Sequence, residues 1–218
     1  MSEVAATTET GARAELPDGI KPTIVLASAS PRRRELMHSL RLPFIVCALD
    51  TDESVEPGIS PERVVEQLAL RKATAVRDER LASGSGRADE VIVGADTVVV
   101  LDAGILGKPR DKAEAKTMLT ALQGREHAVF TGVAVVHADG RVQVSHRLTV
   151  VRMKPLSARQ IDRYIATGEP DDKAGAYAIQ GLGALFVDSI DGCYYNVVGL
   201  PLALLADLLR QFDIDVWM

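Results

Sequence analysis

Segments with a helical period of hydrophobic residues alternate along this chain with short apolar runs typical of strands. The helical period is clearest in the second of five predicted helices, where Val65, Leu68, Ala69 and Val76 form one apolar stripe. The predicted helices cover residues 31–40, 61–81, 111–123, 157–167 and 201–211. The predicted strands cover residues 23–27, 91–95, 98–101, 129–136 and 142–151. Helices interleaved with strands predict a mixed-sheet α/β fold.

Turn signals separate these segments. The sequences DAG at 102–104 and ADG at 138–140 predict two hairpin turns between apolar runs. The segment 175–199 is punctuated by glycine and predicts strands and loops ahead of the last helix. We therefore expect a central hairpin within the sheet and an irregular final third.

Composition places the chain among ordinary globular proteins. Of its 218 residues, 47% are hydrophobic and 25% are charged, with a net charge of −5. This acidic balance lacks the electrostatic footprint of a duplex-binding protein, and aromatic residues at 4% are too few for a single-strand stacking surface. The two cysteines and four histidines show no CxxC, HExxH or zinc-finger spacing, so any metal would be held by oxygen ligands.

The first 21 residues differ from the rest. They are polar, rich in alanine and threonine, and lack the apolar core of a secretory signal. We expect a disordered tail over residues 1–21 and a single domain over residues 22–218. No apolar run approaches the roughly 18 residues that a membrane span requires. The sequence therefore predicts a cytoplasmic protein with neither a membrane nor a nucleic acid as partner.

Three consecutive arginines follow the first predicted strand, in the stretch IVLASASPRRREL. Ser30 is placed to cap the helix that Pro31 begins, and a helix start presents free N–H groups and a positive dipole end. Arg32 and Arg33 add positive charge to that end, which is unfavourable unless an anion offsets it. Both an anion site and a capped surface helix with solvated arginines fit this stretch.

An acidic residue interrupts the apolar run VIVGADTVVVL. Asp96 stands where a strand is expected to end, and a buried carboxylate is costly unless it meets a metal, a cation or hydrogen-bond donors. Ligands gather at strand ends in open α/β sheets, so Asp96 is a candidate site residue. A turn residue at the sheet edge is the alternative. The neighbouring Thr97 could bind a ligand or cap the turn.

Four further polar residues each allow a binding role and a plain structural one. Lys72 lies on the apolar stripe of the second helix, where it could snorkel to solvent. Pro109 fixes an extended approach for Lys108, which suits either a phosphate contact or a solvated turn. Glu53 could hold Mg²⁺ or Mn²⁺ or be a simple loop acid. Gln180 could read a base edge with its amide or be a turn residue.

Six motifs, in order and spacing, resemble those of the Maf-type nucleoside triphosphate pyrophosphatases. They are LASASPRRREL, DE at 52–53, RKA at 71–73, GADTVV, GKPRD and DKAGAYAIQGLG, and the resemblance spans residues 23–209. SPRR, GADT and IQG match the subgroup that acts on dTTP and UTP, whereas the 7-methyl-GTP subgroup resembles SPWR, GSDQ and SEG. One departure is Arg71, since family members often carry EKA where this chain has RKA.

The resemblance implies a fold, an activity and a cofactor. The fold is a mixed α/β sheet flanked by helices, with two lobes around a cleft, related to the inosine triphosphate pyrophosphatases. The activity is hydrolysis of a nucleoside triphosphate between the α- and β-phosphates, with a divalent cation, Mg²⁺ or Mn²⁺. The family also suggests a homodimer.

The same resemblance implies roles for individual residues. Asp96 would be the base that orients or deprotonates water, close to a cation that Glu53 helps to hold. The phosphates would be bound by Ser30, Arg32, Arg33, Lys72 and Lys108. The base preference would be determined by Arg32, Thr97 and Gln180.

Two alternatives stay open at this point. One is the same enzyme class with a different base, either 7-methyl-GTP or a modified nucleotide. The other is a nucleotide-sensing regulator of cell division that binds without turnover. Asp96 retained together with Glu53 and Lys108 favours an enzyme, because a pure binder needs no base.

Overall fold

A computed structural model describes residues 24–56 and 58–217, so the predicted tail over residues 1–21 lies outside the described residues. The strands of the described chain are β1 (Ile24–Leu26), β2 (Phe44–Val46), β3 (Val91–Leu101), β4 (Gly104–Leu106), β5 (Glu126–His137), β6 (Val142–Met153) and β7 (Val187–Asp191). The helices are α1 (Pro31–Ser39), α2 (Pro61–Ala82), α3 (Lys112–Leu122), α4 (Ala158–Ala166), α5 (Tyr194–Val198) and α6 (Leu202–Arg210). The mixed α/β fold is confirmed.

The strands form one sheet in the order β2-β1-β3-β5-β6-β7, with β4 also paired to β3. β1 is parallel to β2 and β3, whereas β3, β5, β6 and β7 are successively antiparallel. Both predicted hairpins, β3–β4 and β5–β6, are present. The predicted break inside β3 is wrong: residues 91–101 form one continuous strand, so Asp96 lies in its middle and not at its end.

The pairing of β3 explains why a polar residue is tolerated there. On one side of β3, β1 pairs with residues 91–93 and β4 pairs with residues 99–101. Residues 94–98 between them have no strand partner on that side within the described chain. Asp96 therefore lies in a gap of the sheet, just beyond the carboxyl end of β1, where ligands of α/β proteins collect.

Separate apolar cores lie on either side of this gap, on one face of the sheet. One core packs β1 and the first half of β3 against α1 and α6. The other packs Val99 of β3 against α3 and α4. Helix α2 covers the opposite face, where its predicted stripe is fully buried. The two cores on one face correspond to two lobes with a cleft between them.

Helix α2 lies very close to the sheet because two glycines face it. A Cβ atom built on Gly94 would be 2.2 Å from the carbonyl oxygen of Ala69, and one on Gly132 would be 2.3 Å from that of Val65. Any side chain at either position would force the helix away from the sheet. This close approach brings the side of α2 that carries Lys72 next to the middle of β3.

The side-chain cap predicted for α1 is present, and two further helices are capped in the same way. The side chains of Ser30, Asp111 and Ser157 accept hydrogen bonds from the first turns of α1, α3 and α4. Ser60 occupies the cap position of α2, but its side chain makes no capping hydrogen bond to the helix.

The final third is more helical than predicted. It contains three 3₁₀-helices, Glu169–Asp172, Ala174–Ala176 and Gly181–Phe186, together with β7 and the short α5. Gly175 and Gly181 adopt positive φ angles of 68° and 64°, which let the chain turn between these elements. The strand-and-loop prediction is therefore only partly correct.

Candidate active site

Two adjacent residues of β3, Asp96 and Thr97, place their side chains on opposite faces of the sheet, as the two-residue period of a strand requires. Asp96 is paired in register with Gly132 and shares its face with helix α2. Thr97 is paired with Thr131 and lies on the face that carries α1 and the two lobes. The site is consequently built from both faces at the gap in the sheet.

A cluster of charges surrounds Asp96. The Nζ atom of Lys72 lies 2.6 Å from Oδ1 of Asp96 and 2.7 Å from Oε1 of Glu53. The side chains of Lys72 and Asp96 are 17% and 12% exposed, so this pair is shielded from bulk water more than an ordinary surface ion pair. Lys72 therefore does not extend into solvent as a snorkelling lysine would. It forms ion pairs with both candidate carboxylates, Glu53 and Asp96.

The ionisation of Glu53 reflects this arrangement. The hydrogen bond from Lys72 lowers the pKa of Glu53 below its usual range, against the opposing effect of partial burial. The charges of Lys72 and, more weakly, of Lys108 and Arg33 lower the pKa of Glu53 further. Glu53 thus stays anionic at neutral pH.

Arg71 holds the loop that carries Glu53. Its Nη1 atom donates to the carbonyl oxygens of Asp52 and Ser54, at 2.5 and 2.8 Å, one on each side of Glu53. Asp52 and Ser54 also bond to each other through side chain and backbone. The one departure from the family pattern is therefore a backbone clamp on the acidic loop.

Arg33 lies at the centre of the opposite face. Its Nε donates to the carbonyl oxygen of Gly199 at 2.8 Å, and its Nη2 donates to Oγ1 of Thr97 at 3.1 Å. Its Nη1 lies 3.3 Å from Oγ of Ser28. Burial lowers the pKa of Arg33, and the charge of Asp96 opposes that effect. Arg33 is thus fixed by three neutral partners at the cleft.

A buried network of hydroxyl and amide groups supports this arginine. Oγ1 of Thr97 is 2.9 Å from Oγ1 of Thr131, which in turn donates to the carbonyl oxygen of Asn196 at 2.8 Å. The Nδ2 atom of Asn196 donates to the carbonyl oxygen of Val129 and to Oγ1 of Thr149, at 2.9 and 3.0 Å. Thr131, Thr149 and Asn196 are fully buried. The network fixes α5, and with it Gly199, against the sheet.

Ser30 and Arg32 lie at the same helix start. Oγ of Ser30 accepts from the backbone N–H of Arg33 at 3.5 Å, so the predicted capping role is present. Arg32 does not join the charges around Asp96. Its Nη1 atom lies 3.6 Å from Oδ2 of Asp172, in the 3₁₀-helix 169–172.

Lys108 and Gln180 are the least constrained of the predicted residues. Lys108 is exposed beyond β4 and forms no ion pair with the described chain, although its charge acts on Glu53. Gln180 is half-buried, and its amide makes no hydrogen bond to any described residue. Both are free to contact a ligand.

Glu53 and Asp96 fit a divalent cation that arrives with a phosphate ligand. Among the described residues, no group of three or more His, Cys, Asp or Glu is arranged to hold a metal. Lys72 occupies one oxygen of each carboxylate, and the second oxygens have no hydrogen-bond partner in the described chain. Mg²⁺ is commonly held by one or two carboxylates together with substrate phosphates and water, which is the donor set available here.

Sequence reasoning did not single out the residues behind the site. Thr131 and Asn196 stand in apolar runs, FTGVAVV and YYNVVG, where a lone buried polar residue is a signal of a required hydrogen bond. Glu169 was also missed, although it accepts hydrogen bonds from the residues that follow Gln180. These residues act through long-range contacts that no local motif reveals.

The fold and the site define a mixed α/β protein with a cationic cleft at a sheet gap. A family model described as Maf-like protein matches residues 23–212. The dTTP/UTP pyrophosphatase of Desulforamulus reducens is 51% identical over 194 residues, which cover 88% of this chain and 98% of that protein. The dTTP/UTP pyrophosphatase of Moorella thermoacetica is 52% identical over 195 residues, covering 89% and 97%.

This chain belongs to the Maf family, and the resemblance stated from its motifs is confirmed. Among solved structures, a nucleoside-triphosphatase or dITP/XTP pyrophosphatase from Mycobacterium abscessus is similar with a TM-score of 0.40 at 22% identity. That match covers 61% of this chain and 74% of the other. No helix in the described part of the chain is long and apolar enough to cross a membrane.

Proposed function

We propose that this protein hydrolyses nucleoside triphosphates, with dTTP and UTP preferred, to the monophosphate and pyrophosphate in the cytoplasm. Relatives about half identical over nearly their whole length are named dTTP/UTP pyrophosphatase, which supports the substrate class. The observation that carries the reaction is the carboxylate of Asp96, held by Lys72 at the gap in the sheet with one oxygen available to a water molecule.

In this proposal the cations of the cleft bind the polyphosphate. A triphosphate carries about four negative charges, and attack by water on its α-phosphorus requires those charges to be offset. Arg33 and Lys72 offer fixed positive charge on the two faces, while Arg32 and Lys108 reach the ligand from the rim. The start of α1, capped by Ser30, adds backbone N–H groups.

Asp96 is the proposed base. Its free oxygen orients the attacking water and accepts its proton, while the hydrogen bond from Lys72 holds the carboxylate in place. Glu53 and Asp96 would hold a Mg²⁺ or Mn²⁺ ion, which would supply charge neutralisation at the phosphates. Pyrophosphate then leaves as the second product, bound by the same cations until release.

Base selection is assigned to Gln180, Thr97 and Arg32. The amide of Gln180, with a free donor and acceptor, can pair with the edge of a pyrimidine. Thr97 accepts a hydrogen bond from Arg33, the neighbour of Arg32 at the start of α1. A site built to hydrogen-bond one base edge rejects bases that leave its polar groups unpaired.

Pyrophosphate release from a panel of triphosphates, with Mg²⁺ or Mn²⁺ present, tests this function. We expect release from dTTP and UTP above the other nucleotides, and a loss of about 10³-fold in Asp96→Asn with an unchanged melting temperature. Undiminished release by Asp96→Asn would remove the base assignment. Preference for 7-methyl-GTP or a modified nucleotide would change the substrate, and tight nucleotide binding without turnover would favour the nucleotide-sensing regulator.

A further inference from the structure

A half-buried carboxylate outside the charge cluster, that of Glu169, holds the segment that follows Gln180. Its Oε1 accepts from the backbone N–H of Gly183 at 2.9 Å, and its Oε2 accepts from that of Leu182 at 3.1 Å. These are N–H groups of the first turn of the 3₁₀-helix 181–186, which have no partner within the helix. Glu169 thus caps, from a distant part of the chain, the helix that begins directly after Gln180.

The local backbone is shaped to admit this carboxylate. Gly181 has a φ of +64°, and a Cβ atom there would lie 2.8 Å from Oε2 of Glu169. Glycine therefore serves both the left-handed turn and the close approach of the carboxylate. The hydroxyl of Tyr164 donates to Oε1 of Glu169 at 2.9 Å and accepts from the N–H of Ala178 at 3.3 Å. The segment 178–183 is consequently held on both sides of Gln180.

Glu169 makes these contacts as an anion. Burial opposes its ionisation, but hydrogen bonds from the N–H groups of Gly183 and Leu182, and from Tyr164, lower its pKa below the usual range. Hydrogen bonds to an ionised acceptor are stronger than neutral ones, so the hold on this segment is firm.

No hydrogen bond from the described chain holds the Gln180 side chain. Its backbone is extended, with φ −106° and ψ 169°, and its amide bonds to no described residue. Ile179 before it is buried in the core beside α1, and the residues after it are bound by Glu169. The backbone therefore fixes the point and direction from which the Gln180 side chain extends.

We infer that Glu169 is a positioning residue for base selection, which acts by fixing the backbone that carries Gln180. This inference rests on the proposed function, in which Gln180 contacts the base. The other end of the same turn contacts Arg32 through Asp172. The turn 169–172 thus connects two of the three residues assigned to base selection.

The test compares kcat/KM for UTP with kcat/KM for CTP, because these nucleotides differ only at the base edge. Glu169→Gln replaces one acceptor oxygen by an NH₂ group that faces a backbone N–H. We expect the UTP-to-CTP ratio to fall about tenfold, with kcat for UTP changed much less. Asp171→Asn is the matched control, because Asp171 is in the same turn and its side chain bonds to no described residue. It should leave the ratio unchanged.

The double variant separates positioning from general loss of stability. If Glu169 acts through Gln180, Glu169→Gln should have no further effect on the ratio in a Gln180→Ala background. Equal effects in both backgrounds, or a ratio unchanged by Glu169→Gln while Gln180→Ala lowers it, would overturn the inference and leave the proposed function standing. If Glu169→Gln fails to fold, the shorter carboxylate of Glu169→Asp gives the same comparison. A wild-type protein that releases no pyrophosphate from any triphosphate would overturn the proposed function itself.

Discussion

The two faces of strand β3 hold their polar side chains at the gap in the sheet by different interactions. On the face of Asp96, long charged side chains from a helix and a loop meet in a half-open cluster. On the face of Thr97, short hydroxyl and amide groups form a buried network fixed by the backbone. The comparison shows that Asp96 is held by an ion pair, whereas Arg33 is held by hydrogen bonds to neutral groups.

This difference predicts that substitutions on one face change turnover and that substitutions on the other change folding stability. Loss of a charge in the half-open cluster should act mainly on turnover, because the carboxylate of Glu53 stays half exposed and that of Asp96 lies in the gap of the sheet. Loss of a donor in the buried network should destabilise the fold, because water cannot replace it. Four experiments test this distinction, from the largest expected effect to the smallest.

Lys72→Met should have the largest effect, and on turnover. It leaves Asp96 and Glu53 without their shared cation and removes a proposed phosphate contact. We expect kcat/KM for UTP to fall about 10³-fold, equivalent to about 4 kcal/mol, with a melting temperature within a few degrees of wild type. Arg63→Met, at an exposed position of the same helix, should match wild type in both measurements. A large drop in melting temperature for Lys72→Met would contradict the charge argument.

Asn196→Leu should act mainly on stability. It removes the side-chain donor to the carbonyl oxygen of Val129 and one of the two donors to the hydroxyl of Thr149, in a fully buried site. We expect the free energy of unfolding in urea to decrease by about 3 kcal/mol. Tyr195→Leu, at the exposed neighbouring position, should cost much less. Equal losses for the two variants would mean that the network contributes nothing specific.

Acidification should lower the free energy of unfolding through the buried His127 before it neutralises Glu53 in the charge cluster. Burial lowers the pKa of His127, which is hydrogen-bonded to Tyr177, to about 4. Unfolded histidine titrates near 6.5, so the unfolded state binds more protons between these values and stability falls as the pH drops from about 6.5 towards 4. The expected loss is about 2 kcal/mol by pH 5.

The pH dependence of unfolding in wild type and in His127→Gln measures this contribution. The variant should lose most of the slope between pH 6.5 and 5. Glu53, whose pKa is lowered by Lys72, keeps its charge throughout this range. An identical slope in the variant would assign the acid sensitivity to other groups.

Arg71→Ala should have the smallest effect. It frees the loop on both sides of Glu53 but removes no group that contacts the ligand directly. We expect kcat/KM to fall about fivefold, equivalent to about 1 kcal/mol, and the free energy of unfolding to change by less than about 0.5 kcal/mol. Arg87→Ala, another exposed arginine, is the control. A loss as large as that of Lys72→Met would place Arg71 among the ligand contacts.

Much of the fold could be predicted because its signals are local. Proline after Ser30 begins α1, and the apolar stripe of α2 is buried as its period indicates. The break expected at Asp96 was wrong because local hydrophobicity cannot show that the neighbouring strand changes from β1 to β4 at that point. The 3₁₀-helices of the final third were missed because glycine signals a turn without specifying its type.

The sequence identified the candidate residues from their chemical type. The contacts between them could not be predicted from it. Lys72 could be read as a snorkelling lysine until the close approach of α2 at Gly94 placed its ammonium group between two carboxylates. Arg71, a departure from the family pattern, gained a role only from its contacts with the loop backbone.

The sequence by itself determined the α/β class, the helix starts, the family and the set of charged candidate residues, because these depend on local pattern and residue type. Only the tertiary structure decided that Asp96 and Thr97 face opposite partners, that Asn196 supports Arg33 from behind, and that Glu169 holds the backbone of Gln180. Those relations join residues far apart in the chain. They exist only once strand pairing and helix packing have brought their backbones together.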